Sequence, residues 1–140
     1  MNNKMKIIFS ALSENEAFAR TAVTGFILVL DPTIEQITDV KTAVSEAVTN
    51  CIVHGYPEQK GDILMECEIE DSILHIKISD FGVGIANLSQ VLEPFYTSKP
   101  LEERAGMGFT IMRTFMDSFE IESTVNQGTI VKMSKNLKIA

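Results

Sequence analysis

Ile73-Leu74-His75-Ile76-Lys77-Ile78-Ser79-Asp80-Phe81-Gly82-Val83-Gly84 decides how the rest of this 140-residue chain is read. Its first part alternates apolar and polar residues, the period of a strand with one buried face. Its end is a carboxylate followed by two glycines, which let the backbone turn sharply and pass close to a flat surface. A strand closing on Asp-x-Gly-x-Gly therefore delivers a carboxylate from a rigid element to a loop. Just upstream, residues 61–70 carry a second strand-like run, and Asp71-Ser72 is the short turn between them. The two runs read as a β-hairpin.

Upstream again, Thr33 with Gln36 three residues later makes a helix start after Pro32, and Ile34, Ile37, Val40, Val44, Ala47, Val48 and Cys51 follow at helical spacing. This predicts a long helix ending near His54 and Gly55. Its polar side carries Glu46, Asn50 and His54 at successive i, i+4 positions. Taken alone, that stripe is an ordinary solvated helix face. An opening strand is expected over residues 5–12. Ser13 with Glu16 repeats the capping pattern and starts a first helix running to about residue 28, on which Glu16 and Arg20 form an exposed i, i+4 pair.

Downstream, periodicity is lost over residues 81–105 apart from a brief helical turn near 88–92, while glycines, prolines and charges accumulate into a long functional loop. Gly106-Met107-Gly108 then precedes an amphipathic helix marked by Phe109, Met112, Phe115 and Met116. Such a start presents unpaired N–H groups and the positive end of the helix dipole where phosphates bind. Residues 120–125 and 129–133 flank a turn at Asn126-Gln127-Gly128, with the Thr129 hydroxyl at the start of the last strand. The order is strand, two helices, hairpin, loop, helix, hairpin. It predicts one α+β two-layer sandwich spanning 1–140, a mixed, largely antiparallel sheet covered on one face by helices.

Composition narrows the function. With 45% hydrophobic and 22% charged residues the chain can complete one core, and no apolar stretch approaches the ~20 residues of a membrane span. A cytoplasmic location is expected, since no signal-peptide layout opens the sequence. Cys51 and Cys67 lack the spacing of a metal or redox motif and read as reduced core residues. The net charge of -7 argues against direct nucleic-acid binding, which draws on clustered Lys and Arg. An anionic ligand would have to be held by local backbone donors, a cation and a few placed basic side chains.

The ordered set E-x-x-x-N-x-x-x-H, D-x-G-x-G, G-x-G, G-T resembles the ATPase and kinase superfamily that contains gyrase, Hsp90, histidine kinases and MutL. Pro94-Phe95-Tyr96-Thr97-Ser98-Lys99 ahead of Gly106-Met107-Gly108-Phe109 is similar to the ATP lid of histidine kinases and related bacterial serine kinases. The resemblance spans residues 32–133. It implies ATP or ADP with Mg2+ as cofactors. Asn50 would coordinate the magnesium, Asp80 would accept from the adenine amino group, and Gly82 and Gly84 would give the base room. Gly106 and Gly108 would wrap the phosphates, and Thr129 would help fix the adenine. Lys99 and Arg104 are the candidates for γ-phosphate contacts, Arg104 preferred because a guanidinium grips phosphate bidentately; otherwise both are solvated loop charges. Glu46 would polarise the attacking hydroxyl or water, and His54 would support the helix end.

Ala105 occupies the place where the G-x-G-x-G of the histidine kinases usually begins, and no helical dimerisation segment with a phosphoacceptor histidine precedes the domain, so histidine autophosphorylation is disfavoured. The form that matches best is the anti-sigma factor and serine protein kinase family, its sporulation members nearer than its stress-response members. That resemblance implies a homodimer that binds and inhibits a sporulation sigma factor and phosphorylates a serine of an anti-anti-sigma protein. ATP would favour one partner and ADP the other, with the lid coupling the two. Glu16 and Arg20 are candidate partner-binding residues, and the first strand, with Ile7 and Phe9, is the expected dimer edge. The alternatives are a stress-response-type kinase and a nucleotide-gated binding module that transfers no phosphate.

Overall fold

The computed structural model describes residues 2–92 and 108–138. The elements run β1 (Asn2–Ser10), α1 (Glu14–Ile27), α2 (Ile34–Asn50), β2 (Asp62–Glu70), β3 (Ile73–Asp80), the short α3 (Leu88–Val91), α4 (Gly108–Phe115), β4 (Ser118–Thr124) and β5 (Gly128–Asn136). The strands form one five-stranded sheet in the order β1-β2-β3-β5-β4. All of its pairings are antiparallel, so the α+β layering stands and the expected mixed sheet is corrected to an antiparallel one among the described residues.

Alternation within the strands decides which side is covered. Phe9 from β1, Ile63, Met65, Cys67 and Ile69 from β2, Leu74, Ile76 and Ile78 from β3, and Val131 and Met133 from β5 are buried on one face. Against them lie Ala19, Val23 and Ile27 of α1, Val40, Ala43, Val44, Ala47 and Val48 of α2, and Met112 of α4. Each large apolar side chain buried in this way contributes about 1.5–3 kcal/mol. Burial pushes the Cys67 thiol up to about 12, and both cysteines are free and buried, as core residues should be. The opposite face carries alternating charges such as Lys77 beside Glu66 and Lys132 beside Glu122. β1 is an edge strand, with Phe9 buried and Ile7 partly buried against the core.

The two helix starts behave differently. At Thr33 the capping box forms: the Thr33 hydroxyl accepts from Gln36 N at 3.1 Å and Gln36 Oε1 accepts from Thr33 N at 3.0 Å. Ser13 makes no side-chain cap: its backbone is already helical and its carbonyl takes the Glu16 N–H, while the Glu16 side chain goes to Ser45 of α2 and to Arg20. Ile34, at the first position of α2, is 84% exposed and so leaves the apolar series that its spacing suggested. Lys135 of β5 ties the layers together, reaching Asp39 of α2 at 3.5 Å and donating to the Phe115 carbonyl at the end of α4 at 2.7 Å. Among the described residues no helix is long and apolar enough to cross a membrane.

Candidate functional site

β3 carries Asp80 to the end of the sheet, directly opposite Thr129 of β5. The Asp80 side chain is only 4% exposed. Its carboxylate accepts the Gly82 N–H at 3.0 Å, with the Thr129 main chain and the Cys51 thiol beside it favouring the charged form. Burial raises the carboxyl above its ordinary range, and these donors pull it partly back. On the far side of the pair, the Ser123 hydroxyl lies 2.7 Å from the Thr129 hydroxyl and accepts the Ile85 N–H at 2.7 Å. The loop leaving β3 is thus pinned to the β4–β5 hairpin within five residues of Asp80.

The end of α2 meets the same place. After Asn50 the helix widens into a π-helical turn, Cys51–Gly55, closed by the Tyr56 N–H on the Cys51 carbonyl at 3.1 Å. The extra width brings the turn onto the Asp80–Gly84 stretch. The Val83 N–H donates to the Gly55 carbonyl at 2.9 Å, and the Phe81 N–H to the Tyr56 hydroxyl at 2.7 Å. A Cβ placed on Gly82 would lie 1.8 Å from the Gly55 carbonyl oxygen, so only glycine permits this approach. Gly84 has a φ of 73° and sits against the Thr124 carbonyl. The room these glycines make is filled here by the protein's own backbone.

Glu46 lies one helical turn before Asn50 and is 8% exposed. The solvated-face reading of the stripe therefore fails for Glu46, which is buried and has interactions of its own. Asn50 points a buried Nδ2 that has no hydrogen-bond partner among the described residues.

Residues 9–135 match the histidine kinase-like ATPase domain family. The chain is 54% identical over 138 residues to the anti-sigma F factor of Clostridium perfringens strain SM101, covering 98% of this chain and 99% of that one. It is 51% identical over 138 residues to the anti-sigma F factor of Geobacillus thermodenitrificans, covering 98% and 94% of the two chains. This chain belongs to the anti-sigma factor branch of the histidine kinase-like ATPase family. Its fold also matches the crystal structure of the RsbU and RsbW domains of a Mycobacterium tuberculosis protein, with a TM-score of 0.69, 16% identity and coverage of 96% of this chain but 32% of that longer one.

In this member of the histidine kinase-like ATPase family, Asp80, Gly82, Gly84 and Thr129 come together at one end of the sheet. Asn50 stands on the helix whose continuation packs against them, and Gly108 is buried at the start of α4. Lys99, Arg104 and Gly106, with the rest of the lid, lie outside the described residues. Glu16 and Arg20 sit away from this cluster on α1. Their 3.1 Å ion pair is part-buried, with side chains 21% and 40% exposed, and Glu16 also accepts from Ser45, which corrects the exposed pair expected from spacing. Sequence reasoning passed over Cys51, Gly55, Tyr56 and Ser123. Cys51 fitted the apolar series of α2 and was assigned to the core, although the same helix face reaches Asp80.

Proposed function

We propose that this chain binds ATP at the end of its sheet and acts as an anti-sigma factor with protein serine kinase activity. The observation that carries the nucleotide reading is Asp80, a buried carboxylate held by neutral donors at the mouth of a loop. An ionised carboxylate there is an acceptor for the exocyclic amino group of adenine, and Thr129 beside it offers a hydroxyl already ordered by Ser123. The names of the similar proteins, anti-sigma F factors, support a sigma factor as the partner.

The residues also fit a nucleotide carrying Mg2+. A buried amide N–H without a partner costs about 1–3 kcal/mol, so the Asn50 Nδ2 fits a phosphate oxygen that accepts from it, leaving its side-chain oxygen for the cation. Bound there, magnesium would be held by the Asn50 carbonyl oxygen together with phosphate and water oxygens, and would neutralise charge on the transferring phosphoryl group. Glu46, on the same side of α2, would orient the attacking serine hydroxyl and take its proton. Lys99, Arg104, Gly106 and Gly108 would engage the phosphates. Arg20, steadied by Glu16, would serve the protein partners. The substrate in this reading is a serine of an anti-anti-sigma protein, and the working unit is a cytoplasmic homodimer of single domains.

Transfer of labelled γ-phosphate from MgATP to a purified anti-anti-sigma protein tests this, run beside the Asn50→Ala variant. Acid-stable label that requires Asn50 is the expected result. Tight MgATP binding and sigma-factor capture without transfer would instead leave a nucleotide-gated binding module.

A further inference from the structure

One row of side chains crosses three strands at the Asp80 end of the sheet. Asp80 of β3 stands opposite Thr129 of β5, and Thr129 stands opposite Ser123 of β4. Residues directly opposite in antiparallel strands share a face, so the three side chains lie on the helix-covered side with Thr129 in the middle. Ser123 Oγ accepts the Ile85 N–H at 2.7 Å, donates to the Gly128 carbonyl at 3.1 Å and lies 2.7 Å from Thr129 Oγ1. A serine hydroxyl has one hydrogen and two acceptor positions. An amide N–H can only donate and a carbonyl can only accept, so the Ser123 hydrogen is committed to Gly128. Its contact with Thr129 is then a hydrogen bond only with Thr129 as the donor. The Thr129 hydrogen is taken by Ser123, and Thr129 has only lone pairs left for any other group.

We propose that Ser123 is a positioning residue that sets the choice of base: by taking the Thr129 hydrogen it makes Thr129 an acceptor, so the site meets the base with two acceptors, the Asp80 carboxylate and the Thr129 hydroxyl oxygen. This rests on the reading of Asp80 and Thr129 as the base site. The 6-amino group of adenine carries two hydrogens and satisfies such a pair, directly or through a water. A 6-oxo purine brings another acceptor and no hydrogen on that exocyclic atom, so it is rejected. Without Ser123 the Thr129 hydroxyl is free to turn and donate to the oxo group, and the rejection weakens. The Ile85 bond is a separate duty of the same oxygen. Losing it loosens the loop after Gly84 and weakens every nucleotide alike.

Calorimetry with MgATP and with its 6-oxo counterpart, the magnesium complex of inosine triphosphate, tests this on the wild type, Ser123→Ala, Ser123→Thr, Thr129→Val and the double variant of Ser123→Ala with Thr129→Val. The wild type is expected to prefer ATP, and Ser123→Ala to shrink that preference by about three- to tenfold, the worth of one hydrogen bond. Ser123→Cys, whose sulfur is a weak acceptor, carries the same expectation if the alanine variant does not fold. Ser123→Thr keeps the hydroxyl and should keep the preference within about twofold. Because Ser123 acts through Thr129, adding Ser123→Ala to Thr129→Val should leave the preference of Thr129→Val unchanged within about twofold. Equal weakening of both nucleotides in Ser123→Ala, or a loss of preference that persists in the Thr129→Val background, overturns the role of Ser123 and leaves the base site standing. A wild type that binds both nucleotides alike overturns the reading of Asp80 and Thr129 and the inference with it.

Discussion

If Asp80 receives adenine as proposed, it has opposite effects on the fold and on the ligand, and the two can be separated by pH. Burial raises its folded pKa, so the folded protein holds this proton more tightly than the unfolded chain does. Its contribution to stability is therefore fully present below the ordinary carboxylate pKa and is lost as pH rises through the raised folded value. Adenine binding needs the ionised form and runs the other way. ATP affinity should fall as the solution is acidified through the folded pKa of Asp80, beginning above the ordinary carboxylate range, and calorimetry across pH measures it. Asp80→Asn should weaken ATP binding by about tenfold or more at pH 7 while urea unfolding of the nucleotide-free protein shifts by no more than about 1 kcal/mol, because one buried charge is removed as its hydrogen bonds are perturbed. Glu46 tests the complementary point. Phosphoryl transfer depends on orienting the attacking group, so Glu46→Gln should hold MgATP affinity within a few fold while the rate of transfer drops by about a hundredfold or more. Equal loss of binding and transfer would take Glu46 out of the chemistry.

Among the elements, Thr33 and Ser13 show what a local motif can and cannot specify. Both precede a Glu or Gln by three residues, yet only Thr33 closes its capping box. At Ser13 the acidic partner, Glu16, finds a tertiary partner in Ser45, and a contact across 29 residues of sequence is invisible to a pattern read along one helix. Thr33→Ala should cost about 1 kcal/mol in urea unfolding and Ser13→Ala less than about 0.5 kcal/mol. The same division explains the site. Strand β3, the long α2 and the Asp80 turn are written in period and in glycines, so the sequence places them to within a few residues. The π-helical turn at Cys51–Gly55 departs from the helical period, and its purpose lies in the distant Phe81–Val83 backbone. Tyr56 belongs to that hidden part. Its hydroxyl donates to the Asp62 carbonyl and accepts from Phe81, so Tyr56→Phe leaves a part-buried N–H and a carbonyl to find new partners. A loss of about 1–2 kcal/mol in urea unfolding is expected, together with faster hydrogen exchange at the Phe81 amide.

For the whole molecule, the proposed function requires two surfaces on one small core to respond to different ligands. The nucleotide cluster sits where the end of α2 meets β3 and β5, whereas Glu16 and Arg20 lie on α1, joined to α2 through Ser45. This arrangement makes α2 the shared element: Ser45 and Glu46 are adjacent in sequence, one touching the Glu16 carboxylate and the other buried a turn before Asn50. A nucleotide that binds only the folded state adds about 2.7 kcal/mol to stability at a hundredfold excess over its Kd. That increment, read as a thermal shift with MgATP, should disappear in Asn50→Ala and survive in Arg20→Ala. Arg20→Ala should instead weaken the complexes with the sigma factor and the anti-anti-sigma protein by about tenfold, since it removes the charge that Glu16 holds in place at a part-buried position. Loss of the nucleotide shift in Arg20→Ala would mean that α1 supports the ATP site rather than a partner surface. Unchanged partner binding in a variant that keeps the shift would move that surface elsewhere on the molecule.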